Sequence, residues 1–280
     1  MMERTFPRGD RVVENDTATG LPESKSGRGP VKSAERTARI MEVLAESADA
    51  LSLSQLQERT GYPRSSLYAL LRTLTSLKWI ETADGEQSYG VGPRALLAGT
   101  AYLDHDPALP FAVQQLESLR AATGYTAHYA RLDAPHIIYL ATREVTEPKR
   151  LVSRVGRQLP AHATALGKAL LAERTPEEVD AILPEEPLAR LTEHTVTTRS
   201  ALHAELEASQ ARGWALEREQ NTPGLCCVAT SVGYRIPATD AISCSMPASR
   251  ASDREVDHVA QTMLQHANEL AQTLRRKGIR

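Results

Sequence analysis

The 280-residue chain lacks any uninterrupted apolar run of 18 residues, so no membrane-spanning helix is expected of it. Cysteine is scarce: Cys226, Cys227 and Cys244 are an odd number clustered late in the chain, which excludes a disulfide framework and fits a reducing cytoplasm. No charged n-region followed by an apolar stretch stands at the N-terminus, and the same compartment is expected on that ground. Charge of one sign is also missing. Lys+Arg number 33 against Asp+Glu 35, a balance that taken alone argues mildly against a nucleic-acid or membrane partner. What is present is ordinary: 41% apolar and 24% charged residues over a length that suits two globular domains.

Motifs of catalysis are missing too. There is no Gly-x-Ser-x-Gly, no His-Glu-x-x-His, and no Gly-x-Gly-x-x-Gly after a strand. The stretch Thr164 to Lys168 superficially resembles a phosphate loop. However, His162 stands where its first glycine belongs, and Ala169 follows the lysine in place of Ser or Thr. The 8 histidines are scattered without zinc-ligand spacing. No catalytic residue, metal or cofactor is therefore expected. The alternative left open is a small-molecule enzyme, or a thiol or metal sensor built on Cys226, Cys227 and His162.

Along the chain, residues 1–30 carry Pro, Gly, Ser and cancelling charges without apolar periodicity, and read as a disordered tail. Residues 31–92 read as three helices and a hairpin. The first helix has Ser33 as N-cap, with Ile40, Met41 and Leu44 on one face. The second opens at Ser52 and Gln55, which have capping-box spacing, and stops at Gly61. The third opens at Pro63 and buries Leu67, Leu70, Leu71, Leu74 and Leu77. A turn at Ala83-Asp84-Gly85-Glu86 joins two short strands. Residues 93–106 read as a linker helix and its break. Residues 107–280 alternate helices at about 108–122, 163–172, 176–183, 198–212 and 252–276 with strands at about 125–132, 136–142, 151–155, 213–217, 226–232 and 241–246. The fold class expected is α+β: an N-terminal winged helix-turn-helix followed by a one-sheet domain.

The charge balance hides a local asymmetry. Between Arg59 and Ile80 stand four basic residues and no acidic one; the face of the third helix opposite its leucines carries Ser65, Tyr68, Ala69, Arg72 and Ser76, with Arg64 and Ser66 nearer the first turn, and Arg64, Ser65, Ser66, Tyr68 and Arg72 are the candidate DNA contacts. Arginines and hydroxyls on one helix face suit phosphates and base edges, which points to double-stranded DNA.

Three stretches carry a family resemblance. They are residues 31–45 with the helix-turn-helix, Leu159-Pro160-Ala161-His162-Ala163-Thr164-Ala165-Leu166-Gly167-Lys168, and Gly213-Trp214-Ala215 with Gly224-Leu225-Cys226-Cys227-Val228-Ala229 and Ile242-Ser243-Cys244-Ser245-Met246-Pro247. In that order they resemble the IclR-type transcriptional regulators. The resemblance implies a winged-helix DNA reader, a GAF-like effector-binding domain, and assembly as homodimers or homotetramers. It places effector contacts on Ala165, Leu166, Glu217, Leu225, Cys227, Ser243 and Ser245. Leu151 and Leu159 are added as an apolar wall. Two departures stand out: Ala69, where the family often has arginine in the recognition helix, and Met246, where a glycine is common before Pro247 and pocket shape is at stake.

The residues support this set physically. Ser243 and Ser245, two apart on a strand, share a face while Cys244 points away, and Glu217 can accept bonds from ligand hydroxyls or an ammonium group. A helix start near His162 or Ala163 offers free N–H groups to a ligand carboxylate. The plainer alternatives are strand hydroxyls in water, Cys227 as a core residue, and a helix start capped by Thr164.

Overall fold

The computed structural model describes residues 31–83, 85, 87–145 and 155–280. The tail at residues 1–30 and Leu151, with most of the strand expected at 151–155, lie outside the described residues. The chain divides into two compact units, the first ending at Arg94 and the second spanning Ala95–Arg280.

In the first unit, α1 (Lys32–Glu46) turns Ile40, Val43 and Leu44 inward. Its N-cap is Val31, which makes no side-chain cap bond, and not Ser33 as expected. Ser33 lies inside the first turn, where its carbonyl accepts the Thr37 hydroxyl at 2.8 Å. Next come β1 (Leu51–Ser52) and α2 (Leu53–Thr60), and the capping box forms: Ser52 Oγ accepts the Gln55 N–H at 3.3 Å while Gln55 Oε1 accepts the Ser52 N–H at 2.8 Å. Gly61 closes α2 at φ 68°, a left-handed conformation that glycine adopts without Cβ strain. α3 (Arg64–Ser76) begins one residue after Pro63, which is its N-cap.

Leu67, Leu71 and Leu74 are buried and Leu70 is half-buried, but Leu77 is 56% exposed. α3 ends at Ser76 and the chain turns at Lys78 with φ 60°, which carries Leu77 off the buried stripe. β2 (Ile80–Ala83) and β3 (Ser88–Val91) form the expected hairpin, and β1 adds on the far side of β3 through Leu51↔Tyr89. The order is β1-β3-β2, the wing of a winged helix-turn-helix.

The second unit carries α4 (Pro93–Asp104, whose first two residues close the first unit), α5 (Leu109–Thr123), β4 (Thr126–Asp133), β5 (His136–Arg143) and β6 (Gln158–Pro160). A 3₁₀ turn (Ala161–Ala163) leads into α6 (Ala165–Leu171), α7 (Pro176–Ile182) and α8 (Arg199–Arg212). The chain ends with β7 (Ala215–Arg218), β8 (Leu225–Ser231), β9 (Asp240–Pro247) and α9 (Asp253–Arg276), the last behind its Ser252 cap. Gly213, expected to open a strand, instead closes α8 at φ 81°.

The six strands form one sheet in the order β6-β5-β4-β9-β8-β7, with antiparallel neighbours throughout. Alternation gives the sheet two apolar faces. Tyr129, Val228, Ile242, Cys244 and Met246 pack with Leu116 of α5 and with Val259, Met263 and Leu270 of α9. On the other face Ile137, Tyr139, Ala229 and Ala241 pack with Leu166 and Leu170 of α6 and with Leu202 and Leu206 of α8. α4 is different: it has no buried residue, and Leu96, Leu97 and Tyr102 are exposed.

Candidate functional site

Directly paired residues on neighbouring strands share a face, so the sheet register itself assembles a site. One rung across the α6-facing side reads Thr126, Ser245, Cys227 and Glu217 on β4, β9, β8 and β7. The next reads Thr142, His128, Ser243, Ala229 and Ala215. Four of the expected residues, Glu217, Cys227, Ser243 and Ser245, are thus brought together. Ala165 and Leu166 are buried opposite them at the start of α6, in the same cluster.

Leu225 opens β8 two residues from Cys227 and is half-buried, and Leu159 lies on the edge strand β6 packed against the same cluster. Met246 points the other way into the α5/α9 face, so it bears on that core and not on the rungs that face α6.

Sequence reasoning passed over Thr126, His128 and Tyr139, and weighed Lys168 only as part of a phosphate loop that it does not form. The first two are spaced like Ser243 and Ser245, so strand alternation was the available signal. His128 is buried, its Nδ1 lies 3.2 Å from Thr142 Oγ1, and its ring meets Tyr139 edge-on at 5.1 Å between centroids. Burial pulls its pKa down to about 4, so the imidazole is neutral at physiological pH and offers one donor and one acceptor. Burial also pushes the Tyr139 hydroxyl and the Cys227 thiol up, and Cys227 Sγ lies 3.2 Å from Ser245 Oγ.

The Glu217 carboxyl is raised by burial, and it accepts the Asn221 N–H at 2.9 Å. Lys168 is fully buried, and its ammonium donates to Glu205 and Gln220. Burial lowers its pKa against the pull of Glu205, and the charge is spent on fastening α6 to α8 and to the loop after β7.

The start of α6 is capped. Thr164 Oγ1 accepts the Gly167 N–H at 3.1 Å, and the helix begins at Ala165, two residues after Ala163, the later of the two expected starts. Among the described residues the N–H groups of Ala165 and Leu166 meet no acceptor. The thiols do not form a set: Cys226 and Cys244 lie on the α5/α9 face, with burial pushing them up to about 11 and about 12, while Cys227 faces α6. His162 is tied to the Ala189 carbonyl at 2.9 Å. Among the described residues no group of three or more His, Cys, Asp or Glu is placed to hold a metal.

On α3 the outward face is as expected for Arg64, Ser65, Tyr68 and Arg72, all exposed, whereas Ser66 is half-buried and donates its hydroxyl to the Pro63 carbonyl at 3.0 Å. Arg36 of α1 stacks over the Tyr62 ring at 5.1 Å, pinning the turn that aims α3.

Residues 33–84 match the IclR helix-turn-helix domain, and residues 100–272 match the bacterial transcriptional regulator IclR C-terminal domain. The HTH-type transcriptional regulator BhcR of Paracoccus denitrificans (strain Pd 1222) is 30% identical over 259 residues, covering 90% of this chain and 92% of that protein. The transcriptional repressor IclR of Escherichia coli (strain K12) is 28% identical over 256 residues, with 90% and 92% covered. A solved IclR homolog from Microbacterium hydrocarbonoxydans shares the fold at a TM-score of 0.69 and 21% identity, over 87% of this chain and 99% of that one. The chain belongs to the IclR family of transcriptional regulators, with an N-terminal IclR helix-turn-helix domain and an IclR C-terminal domain, and the relatives it matches are regulators and not enzymes.

Proposed function

We propose that this regulator works in the cytoplasm as a homodimer or dimer of dimers whose hold on operator DNA responds to a small carboxylate-bearing metabolite. The observation that carries the reading is the convergence of Ser243, Ser245, Cys227, Glu217, His128 and Thr126 on one sheet face opposite Ala165 and Leu166. A neutral histidine and hydroxyls orient a small polar molecule, Leu159 and Leu225 flank it, and the two N–H groups outside the Thr164 cap meet its acid group. The solved homolog from Microbacterium hydrocarbonoxydans is complexed with 4-hydroxybenzoate, a molecule of this kind. Dimerisation draws on α4, whose Leu96, Leu97 and Tyr102 form an exposed apolar set that a second copy would cover.

A thermal-shift screen of organic, sugar and aromatic acids, followed by gel-shift titration on DNA upstream of the gene, tests the reading. Ser243→Ala with Ser245→Ala is expected to abolish the ligand's effect while DNA binding stays within about twofold of the parent. Calorimetry showing parental ligand affinity in that variant overturns the site.

Arg64, Ser65, Tyr68 and Arg72, the exposed members of the expected set, are proposed to hold the DNA, while the Ser66 hydroxyl is turned back on the Pro63 carbonyl at the first turn of α3. Arg72→Ala is expected to weaken operator binding about tenfold or more with an unchanged unfolding midpoint, as removing one base-edge contact should. Equal affinities of variant and parent across a salt series would remove Arg72 from the interface.

A further inference from the structure

The exposed surface of α3 offers fewer free polar groups than its composition implies. Ser66 Oγ donates to the Pro63 carbonyl at 3.0 Å, Thr73 Oγ1 to the Ala69 carbonyl at 3.0 Å, and Ser76 Oγ to the Thr73 carbonyl at 2.7 Å. Three of the four hydroxyls of Ser and Thr near this face are therefore turned back on the helix. At about 100° per residue, Ser65, Tyr68, Ala69 and Arg72 are left as the outward set, and all four are exposed. Its centre is apolar: Ala69 is exposed, and Tyr68, the residue before it, is 52% exposed.

In the major groove the group that matches an apolar contact is the C5-methyl of thymine, and a small alanine lets the helix backbone come close to it. Arg72 follows Ala69 by three residues, about 4.5 Å along the axis, which is between one and two base-pair steps of about 3.4 Å. An arginine at that distance pairs best with the O6 and N7 acceptors of guanine.

Resting on the proposal that α3 is the DNA reader, we propose that Ala69 and Tyr68 read a thymine methyl and Arg72 reads a guanine within two base pairs of it. This gives each operator half-site a T and a G at fixed spacing. Ala69 is then a specificity-determining residue.

The test selects bound sequences from random duplex DNA with the full chain, then replaces each thymidine of the selected half-site by deoxyuridine, which removes only the methyl. One thymidine, within two base pairs of a guanine, is expected to lose about fourfold in affinity on this change, the worth of about 0.8 kcal/mol for one buried methyl. Ala69→Gly is expected to narrow the difference between the thymidine and deoxyuridine sites, with Tyr68 keeping its share, and Ala69→Arg to prefer guanine there. Arg72→Ala is expected to become indifferent to the neighbouring guanine. Because the deoxyuridine series uses the parent chain, it decides the matter even where a variant folds poorly. A selected half-site whose thymidines all tolerate deoxyuridine, or that has no guanine within two base pairs of the sensitive thymidine, overturns the inference alone. Selection of no sequence at all overturns the operator reading and the inference with it.

Discussion

Gly167→Ala is expected to unfold the second unit about 10 °C below the parent and to abolish ligand response, while the first unit keeps its structure. A Cβ built at Gly167 lies 2.2 Å from the Ala161 carbonyl oxygen and 2.3 Å from Ala161 Cα. Both are backbone atoms of the 3₁₀ turn that precedes α6, so no side-chain rotation relieves the contact. Overpacking of this kind costs about 3 kcal/mol or somewhat more, and a unit of this size loses roughly 2–4 °C per kcal/mol.

The damage falls on function because α6 has no freedom to retreat. All its residues from Ala165 to Leu171 are buried, and Lys168 ties it to Glu205 and Gln220. Pushing the helix off the turn moves Ala165 and Leu166 away from the rungs that carry Ser243 and Glu217. Differential scanning calorimetry that resolves the two units checks this. A parental midpoint with intact ligand binding would mean that α6 is not seated on Ala161.

The elements visible in the sequence were those defined by local rules. The Ser52–Gln55 box, the left-handed Gly61 and the Ser252 cap each depend on a few adjacent residues, and each formed as expected. β1 and β6 were missed because strands of two and three residues have no periodicity of their own, and they exist only through Tyr89 and Ile137 across the ladder. Leu77 was misplaced because the helical period was carried one residue past Ser76, where α3 ends.

Within the site, Ser243 and Ser245 could be paired by alternation alone. Their neighbours His128 and Thr126 are more than a hundred positions away in the chain, and only the β4–β9 register puts them on the same rungs. Lys168 was noticed for a motif it does not form. Its actual partners, Glu205 and Gln220, come from α8 and the loop after β7, a long-range arrangement that spacing cannot reveal.

The same two strands hold the second large effect at their other end. Asp240→Asn is expected to cost about 3 kcal/mol near neutral pH, the lower end of what breaking a buried ion pair costs, because Arg131 keeps a second partner. Asp240 is fully buried; Arg131 Nε donates to its Oδ1 at 2.6 Å and Nη2 to its Oδ2 at 2.9 Å, Tyr129 donates to Oδ2 at 2.6 Å, and Tyr234 donates to Oδ2 as well. Arg131 Nη1 also meets Asp106 at 2.7 Å and the Tyr102 hydroxyl of α4 at 3.0 Å, and Asp106 accepts the Ala108 N–H at 2.9 Å at the start of α5. The amide of an asparagine would still accept hydrogen bonds, but it would leave the guanidinium with one carboxylate where it had two.

Burial alone would raise the Asp240 pKa; the guanidinium and the tyrosine hydroxyls outweigh it and hold the carboxyl below its ordinary 3.8. A carboxylate depressed in the folded state stabilises fully above its unfolded pKa, and that contribution is lost as pH falls through the folded value. Denaturant titrations of parent and variant should therefore differ most from about pH 5 upward and converge in acid below about pH 4. A gap that stays constant across that range would show that the loss comes from packing and not from the charge that Asp240 sets against Arg131.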